Sequence, residues 1–226
     1  LFLVLAPLLV GFPLIMALVW YWSNTSYQRL LTYKVGGDLV TAHEYFDRVI
    51  RNVGGSVEAL ADANRLRHAL ATGDKARVAD EIGRSRRLHR LDFMYVLDNE
   101  GRVRYSSAGQ DRGQSHASWP VVRSAMEGKP GSVIDIFDAV MLEGIDPSIA
   151  DRAALNIVPT PLARPDGRTV ERRGMIIHAA SPIRDADGKI VGVLHGGMLL
   201  NGNLEFVDTI NAIVYRDGSL PLGSKG

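Results

Sequence analysis

Two histidines, His178 and His195, are the residues whose type and spacing could do chemistry. They lie in alternating segments, 174–183 and 189–200, joined by Arg-Asp-Ala-Asp-Gly, a turn sequence that ends in glycine. In an antiparallel hairpin with a four-residue loop at 185–188, the two imidazoles lie directly opposite each other, with Cβ atoms ~4.5–5.5 Å apart. A two-residue loop makes them diagonal neighbours on the same face, and a bulged three-residue loop separates them.

Paired imidazoles on one sheet face can bind an anion or a metal ion. Gly196 and Gly197 follow His195 and would leave room above the strand for a ligand. A buried histidine held by a structural hydrogen bond is the alternative for each imidazole. We predict that His178 and His195 contact a small solute, with an anion as the first candidate, and that the chain has no resident metal or cofactor.

The other hairpin of the chain offers a second candidate surface. The turn Asp-Asn-Glu-Gly at 98–101 separates two alternating segments, 91–97 and 102–108. A four-residue loop would place these side chains on one face: Met94, Val96, Val103, Tyr105 and Ser107. Apolar side chains combined with two hydroxyls are typical of a pocket wall, so Tyr105 and Ser107 are predicted ligand contacts. A core tyrosine is the alternative for Tyr105.

Three further side chains complete the candidate site. Trp119 and Arg123 lie at the start of a short predicted helix, 118–128. An arginine suits a carboxylate through bidentate hydrogen bonds, and a solvated helix position is the alternative for Arg123. Asp135 lies in a predicted strand, 131–138, and would supply an acceptor if it faces the same pocket.

No catalytic constellation accompanies these residues. His195-Gly196-Gly197 is similar to the oxyanion-hole loop of lipases, but the chain has no Gly-x-Ser-x-Gly nucleophile motif. It also lacks His-Glu-x-x-His, a phosphate-binding loop and a dinucleotide-binding fingerprint. Of the six histidines, only His178 and His195 are predicted to converge. We therefore predict no catalytic residues.

Composition excludes further classes of function. The 226 residues include 26 basic and 25 acidic side chains, a net charge of +1, which indicates no nucleic-acid partner. The one dense basic cluster, 84–90, falls at the end of a predicted helix, where the helix dipole favours cations. The absence of cysteine excludes thiol catalysis, disulfides and cysteine-based zinc sites.

Long helices are predicted to precede the strands that carry these residues. An apolar stripe with helical spacing predicts a helix over 24–71, and its members are Leu31, Val35, Leu39, Ala42, Phe46, Val49, Val53, Val57 and Leu60. Asp74 predicts the N-cap of a second helix that ends near Leu88. The stretch 139–172 is expected to be loop-rich, with one helical turn near 146–152 and a short strand near 153–159. A last helix is expected over 203–214.

The first 22 residues contain no charged side chain and end in Trp20, Tyr21 and Trp22. A helix of that length spans the ~30 Å hydrocarbon core of a bilayer, and aromatic residues favour the membrane–water interface. We therefore predict a transmembrane helix over 1–22 that continues directly into the long helix. The orientation cannot be taken from flanking charge, because no basic flank precedes the apolar run.

The arrangement resembles the Cache domains, the PAS-like extracytoplasmic sensors of bacterial receptors. The resemblance rests on LDFMYVLDNEGRVRYSS (91–107), SPIRDADGKIVGVLHGGMLLNGN (181–203) and LEFVDTINAIV (204–214). It implies an α+β fold with a central antiparallel sheet and flanking helices. It also implies that the last strand of amino-acid sensors carries an Asp where this chain has Gly197, which argues against an α-amino-acid ligand.

The resemblance closest in detail is to the double-Cache type of two-component sensor kinases. It implies a transmembrane helix at 1–22, helices leading into the sensor at 23–90, a membrane-distal Cache domain at 91–214 and the start of a second module at 215–226. The expected function is ligand sensing in the periplasm by a homodimeric inner-membrane receptor, a sensor histidine kinase. The alternatives are a chemotaxis receptor, a cyclic-dinucleotide enzyme, a membrane-anchored metal-dependent hydrolase and a scaffold without a ligand.

Overall fold

The computed structural model describes residues 2–107, 113–158, 160 and 167–214, without the side chains of residues 2–10, 27, 28, 30–32, 34, 35 and 214. The chain divides into two compact units, 1–45 together with 208–226, and 46–207. Every cavity and candidate residue discussed below lies in 46–207. The predicted start of a second module, 215–226, lies outside the described residues.

A five-stranded antiparallel sheet forms the centre of the unit 46–207. Its strands are β1 (Phe93–Leu97), β2 (Val103–Ser106), β3 (Gly131–Phe137), β6 (Gly174–Arg184) and β7 (Ile190–Leu199). Their order in the sheet is β2-β1-β7-β6-β3. A separate two-stranded ladder consists of β4 (Leu155–Asn156) and β5 (Val170–Glu171). The predicted α+β class with one central antiparallel sheet is confirmed.

One side of this sheet, which we call the helix face, packs against three helices. They are α1 (Phe2–Ala61), α2 (Asn64–Ala71) and α3 (Lys75–Leu88). The apolar cluster on this side contains Val57, Leu66, Ile82, Met94, Ile177 and Leu194, all fully buried. The Asp74 carboxylate accepts a hydrogen bond from the Arg77 backbone N–H at 3.0 Å, so the predicted N-cap is confirmed.

The other side, which we call the histidine face, carries His178 and His195 and packs against shorter helices. They are α4 (Pro120–Met126), α5 (Ala139–Ile145) and α6 (Pro147–Ala153). Its apolar cluster includes Phe93, Tyr95, Phe137, Leu142 and Ile149. A last helix, α7, covers Leu204–Val214.

The predicted helix 24–71 is two helices in the structure. α1 continues through both glycine pairs, Gly36-Gly37 and Gly54-Gly55, and ends at Ala61, and α2 begins at Asn64. Of the predicted apolar stripe, Val53 and Val57 are buried, Phe46, Val49 and Leu60 are partly buried against the same cluster, and Leu39 is exposed. Leu31 and Val35 have no described side chains.

Segment 139–172 contains more helix than predicted. The expected turn near 146–152 is α6, and α5 precedes it where we expected a loop. Each helix begins with an aspartate cap, because Asp138 accepts from the Met141 N–H and Asp146 accepts from the Ser148 N–H.

The structure does not support the predicted transmembrane helix at 1–22. α1 covers residues 2–22 as helix, continuous with the segment that follows. Within the described part of the chain, however, no helix is both long and apolar enough to cross a membrane.

Candidate functional site

His178 and His195 share the histidine face, but they are diagonal neighbours rather than directly opposite. His178 pairs with Gly197 and His195 pairs with Ala180 across the β6–β7 ladder. Two one-residue shifts cause the difference: Arg184 pairs with Ile190 rather than with Lys189, and a β-bulge beyond it pairs Ile183 with Gly192. The total offset is two residues, so both imidazoles stay on one face. The His178 Nδ1 and His195 Nε2 atoms lie 3.1 Å apart, within hydrogen-bond distance.

The space that Gly196 and Gly197 were expected to leave for a ligand is occupied in part by the protein itself. A Cβ atom on Gly197 would lie 2.6 Å from the Phe93 ring, 2.8 Å from the Ile177 carbonyl oxygen and 2.9 Å from the His178 Cβ. Glycine at this position therefore lets the Phe93 ring reach the sheet. The prediction that Gly197 opens space directly above the strand is wrong.

Trp119 lies against both histidines. Its ring centroid is 5.1 Å from that of His195 and 5.8 Å from that of His178, both edge to face. It is the residue immediately before α4, whose Pro120 occupies the first helical turn. The start of α4 thus delivers this indole onto the sheet.

A third buried histidine, His116, belongs to the same cluster and was missed from the sequence. Its imidazole stacks on the indole of Trp119, with centroids 4.1 Å apart and planes 9° from parallel, and lies 5.6 Å from the His195 ring. The loop that carries it is fixed to the sheet, because the His116 N–H donates to the Gly101 carbonyl at 2.8 Å. Its three-residue spacing from Trp119, directly before a proline-started helix, was the available signal.

Three more aromatic rings complete the surroundings of the imidazoles. Phe93 lies 5.3 Å from His195, Tyr95 lies 5.3 Å from His116, and Phe137 lies 5.2 Å from His178, measured between ring centroids. Tyr95 and Phe137 were not singled out from the sequence. The histidines therefore lie among aromatic faces and edges, an environment that disfavours charge on an imidazole.

Asp135 brings a carboxylate to the edge of this cluster. It lies on the histidine face of β3, and its Oδ2 is 3.9 Å from the His178 Nε2, too far for a direct hydrogen bond. The Asp135 side chain is 49% exposed, whereas that of His178 is fully buried. The structure thus places Asp135 beside the histidine pair, with its carboxylate facing both solvent and His178.

Both members of the pair are neutral at pH 7. Burial lowers the pKa of His178 to about 4; the Asp135 carboxylate partly opposes this shift and His116 adds to it. Burial also lowers the pKa of His195 well below its ordinary value, and both His178 and His116 lower it further. The hydrogen bond between them is therefore one between two neutral imidazoles, each with a single ring proton.

The surroundings of the two rings assign the positions of these protons. The carboxylate of Asp135 favours the tautomer of His178 that has its proton on Nε2. The Nδ1 atom of that ring is then an acceptor, so the Nε2–H of His195 donates to it. This leaves the Nδ1 of His195 as an acceptor, and it has no hydrogen-bond partner among the described residues.

The remaining predicted ligand contacts are placed elsewhere. Tyr105 pairs with Val96 and is partly buried in the cluster of the helix face, on the opposite side of the sheet from His195. The Ser107 hydroxyl accepts a hydrogen bond from the Met94 backbone N–H, so it holds the end of β2. Arg123 is exposed on α4 and donates to the Ser118 carbonyl at 3.0 Å.

A one-residue bulge separates Val103 from the other side chains predicted to share its face. The partner of Val96 is Tyr105, whereas the partner of Leu97 is Val103, so Arg104 is the extra residue in β2. Val103 therefore lies in the cluster of the histidine face, although it was predicted to share a face with Tyr105. A single inserted residue moves every side chain beyond it to the opposite face.

The cluster contains metal-ligating residue types, but they are not arranged as a metal centre. Among the described residues, no three His, Asp or Glu side chains are arranged to hold a metal ion. Instead, the site combines neutral imidazoles, aromatic rings and one carboxylate. Such a site can bind a small solute through stacking and hydrogen bonds.

No family model matches the chain, and no curated protein sequence matches it. Among solved structures, it is similar to the sensor domain of the Vibrio cholerae histidine kinase DctB, with a TM-score of 0.55 and 16% identity over 82% of this chain and 60% of that one. The E. coli DcuS sensor domain has a TM-score of 0.48 and 16% identity over 72% and 96% of the two chains. The V. cholerae LuxQ periplasmic domain has a TM-score of 0.48 and 16% identity over 79% and 70%.

The match with the DctB domain establishes the fold, since the identity is too low to establish more. This chain spans 60% of the length of that domain. The chain therefore has the fold of a Cache-type sensor domain.

Proposed function

We propose that residues 46–207 are the extracytoplasmic ligand-sensing domain of a bacterial signal-transduction receptor, and that the histidine face binds its ligand. The observation that carries this proposal is the buried Nδ1 atom of His195, which has no partner among the described residues. Leaving a buried polar atom unpaired costs about 1–3 kcal/mol of folding free energy. A ligand that hydrogen-bonds to this atom recovers that cost.

The polarity of the histidine pair selects the chemical class of the ligand. The Nδ1 of His195 accepts, and the carboxylate of Asp135 also accepts or attracts a cation. Aromatic rings such as Trp119 attract cations over their faces. These groups favour a small solute that carries an N–H or O–H donor, and an amine is the first candidate. They do not favour the anion that we predicted from the sequence.

A thermal-shift series on the 226-residue chain at pH 7 tests this proposal. The probes are ethanolamine, choline, glycerol and succinate, each titrated over a wide concentration range. A solute present at 100 times its Kd adds about 2.7 kcal/mol to the free energy of unfolding. We expect a donor-bearing probe to raise the Tm and succinate to leave it unchanged.

Two variants assign any stabilisation to the site. His195→Phe keeps an aromatic ring in the buried position but removes the acceptor, and it should abolish the shift in Tm. Arg123→Gln is the matched control, because Arg123 is exposed and contacts no ring of the cluster. Stabilisation that persists in His195→Phe, or no stabilisation by any probe, would contradict the proposal.

The wider receptor is also a proposal. We propose that the parent protein is a homodimeric sensor histidine kinase of the inner membrane, with this domain in the periplasm; a chemotaxis receptor and a cyclic-dinucleotide enzyme are the alternative outputs. The fold similarity to the DctB sensor domain supports this choice. The exposed aromatic cluster Trp20, Tyr21 and Trp22 supports membrane attachment through 1–22. Co-sedimentation with liposomes of the whole chain, but not of residues 24–226, is the expected result.

Transmission of the signal would involve α1. Val53, Val57 and Ala61 of this helix are buried on the helix face, in contact with the cluster that includes Ile177 of β6. His178 follows Ile177 directly on that strand. A ligand that shifts β6 between two positions would therefore shift the packing of α1, provided that its affinity differs between the two.

A further inference from the structure

A cavity of about 500 Å³ lies on the helix face, on the opposite side of the sheet from the histidines. Its walls come from α2, from β1 and β2, and from the turn between β6 and β7. Small-molecule sites in proteins typically have volumes of ~300–1,000 Å³. The cavity is thus large enough for a ligand and independent of the site proposed above.

Two β-bulges direct side chains to this cavity. The extra residue in β2 is Arg104, and the extra residue in β7 is Val191, which lies between Ile190 and Gly192 in the ladder with β6. Both line the cavity. Bulges are over-represented beside functional sites because they redirect a side chain that regular pairing would point elsewhere. The two bulges lie on either side of β1 at the same end of the sheet, and they support a ligand site here independently of the cavity volume.

The charge around the cavity is positive. Three arginines line it, Arg67, Arg104 and Arg184, against one acidic residue, Asp185. The Asp185 carboxylate already accepts hydrogen bonds from the backbone N–H groups of its own turn, at residues 187 and 189. Arg184 donates to two backbone carbonyls, at 128 and 188, whereas Arg67 donates to the Asn64 side chain, which also lines the cavity. Arg67 and the exposed Arg104 are therefore the cations best placed for a ligand.

A neighbouring cavity of about 290 Å³ extends this positive region. It shares Arg104 with the first cavity and adds Lys75. The floor of the larger cavity is apolar, with Leu70, Val96 and Val191 among its lining residues. The two cavities therefore combine an apolar floor with a basic rim.

We propose that this cavity binds an organic anion with an apolar body, such as a medium-chain carboxylate. Arg67 and Arg104 bind the carboxylate through charge-assisted hydrogen bonds, and the apolar chain lies against Leu70, Val96 and Val191. The charge of the rim matches an anion, and the volume suits a chain of that size. This site goes beyond the proposed sensing function and does not depend on His195.

Calorimetric titration of the 226-residue chain with decanoate at pH 7 tests the proposal. Decanol provides the apolar body without the charge, and acetate provides the charge without the body. We expect decanoate to bind and both of the other probes to bind at least about tenfold more weakly, since one charged hydrogen bond is worth about that factor. Failure of decanoate to bind, or equal binding of decanol, overturns the proposal.

Variants locate the bound decanoate. The double variant Arg67→Gln/Arg104→Gln should weaken binding at least about tenfold, and Arg123→Gln, a similarly exposed arginine on α4, should leave it unchanged. Val191→Trp fills the cavity without changing the charge and should also prevent binding. Decanoate affinity that is the same in these variants as in the parent chain overturns the proposal.

His195→Phe separates this proposal from the one for the histidine face. Decanoate should bind His195→Phe as it binds the parent chain. If the affinity is lost in His195→Phe, the anion binds at the histidine face and the second site is wrong. If no amine binds but decanoate binding depends on Arg67 and Arg104, the proposal for this cavity is supported and the proposal for the histidine face is wrong.

Discussion

Both faces of the central sheet carry fully buried side chains, but of different kinds. On the helix face, Val57, Ile82 and Leu194 are fully buried apolar residues. On the histidine face, His178 and His195 are fully buried too, and each has a ring nitrogen without a hydrogen-bond partner in the described part of the chain. The two imidazoles of the histidine face therefore carry a desolvation cost that the apolar side chains of Val57, Ile82 and Leu194 do not.

This difference is the basis of the proposal that the histidine face binds the ligand. The apolar cluster of the helix face stabilises the fold through the burial of apolar side chains. Unpaired polar atoms lower stability, so a face that retains them is a candidate for a function that uses them. The helix face is not filled everywhere, because a cavity lined by Val191 and by arginines lies at one end of it.

The largest expected effect is that of a buried charge on the helix face. Val57→Asp places a carboxylate at a fully buried position in contact with other apolar side chains, and it should lower the free energy of unfolding by about 4 kcal/mol. Urea denaturation measures the change. Val140→Asp is the matched control, because Val140 is 77% exposed on α5 and its replacement should have an effect within about 0.5 kcal/mol. Equal effects would show that the helix face is not packed as described.

The next effect is a pH dependence that belongs to the histidine face. Burial lowers the pKa of His178 from 6.5 to about 4, so between these values the unfolded chain takes up a proton that the folded chain does not. The stability is complete above pH 6.5 and falls as the pH decreases towards 4, by about 3 kcal/mol in total at 1.36 kcal/mol per pKa unit. Denaturation measured from pH 7.5 to 4 gives this slope.

His178→Asn removes the buried titrating group and should reduce the slope by about one proton between pH 6.5 and 4. Val140→Ala, at an exposed position without a titrating group, should leave the slope of the parent chain. A slope in His178→Asn that equals that of the parent chain would mean that His178 is not held neutral by burial.

A smaller effect compares two adjacent glycines whose hydrogens point to opposite faces. A Cβ on Gly197 meets the Ile177 carbonyl oxygen at 2.8 Å and the Phe93 ring at 2.6 Å, so Gly197→Ala should cost about 2 kcal/mol. A Cβ on Gly196 meets the Phe93 carbonyl oxygen at 3.3 Å and the flexible end of Met94 at 3.4 Å, so Gly196→Ala should cost less. Thermal denaturation of both variants measures the difference, and the reverse order would contradict the packing of the histidine face.

The sheet and its hairpins were predictable because their signals are local. Alternating side chains and the glycine-closed turns at 98–101 and 185–188 determine the strands without reference to the rest of the chain. The same holds for the cap at Asp74. The break at 61–64 and the helix α5 were missed because the apolar spacing runs through the first and the second has only seven residues.

The site was only partly predictable because register and loop placement depend on distant contacts. The structure brings His178 and His195 to one face of the sheet because the observed register differs from the predicted one by two residues, and an even shift keeps a side chain on its face. Asp135 of β3 shares that face. Trp119 packs against it from the start of α4. The single extra residue Arg104 shifts the register beyond it by one, and nothing in the local sequence of β2 requires it. His116 reaches the cluster from a loop, which carries no periodic pattern.

The central claim is that the histidine face binds a donor-bearing solute through the Nδ1 of His195. NMR of the 226-residue chain labelled with ¹⁵N-histidine at pH 7 reports the protonation of each ring nitrogen directly. The structure predicts a proton on the Nε2 of His195, none on its Nδ1, and a change of the Nδ1 signal when a stabilising amine is added. A proton on the Nδ1, or a stabilising solute that leaves the His195 signals unchanged, would contradict the claim.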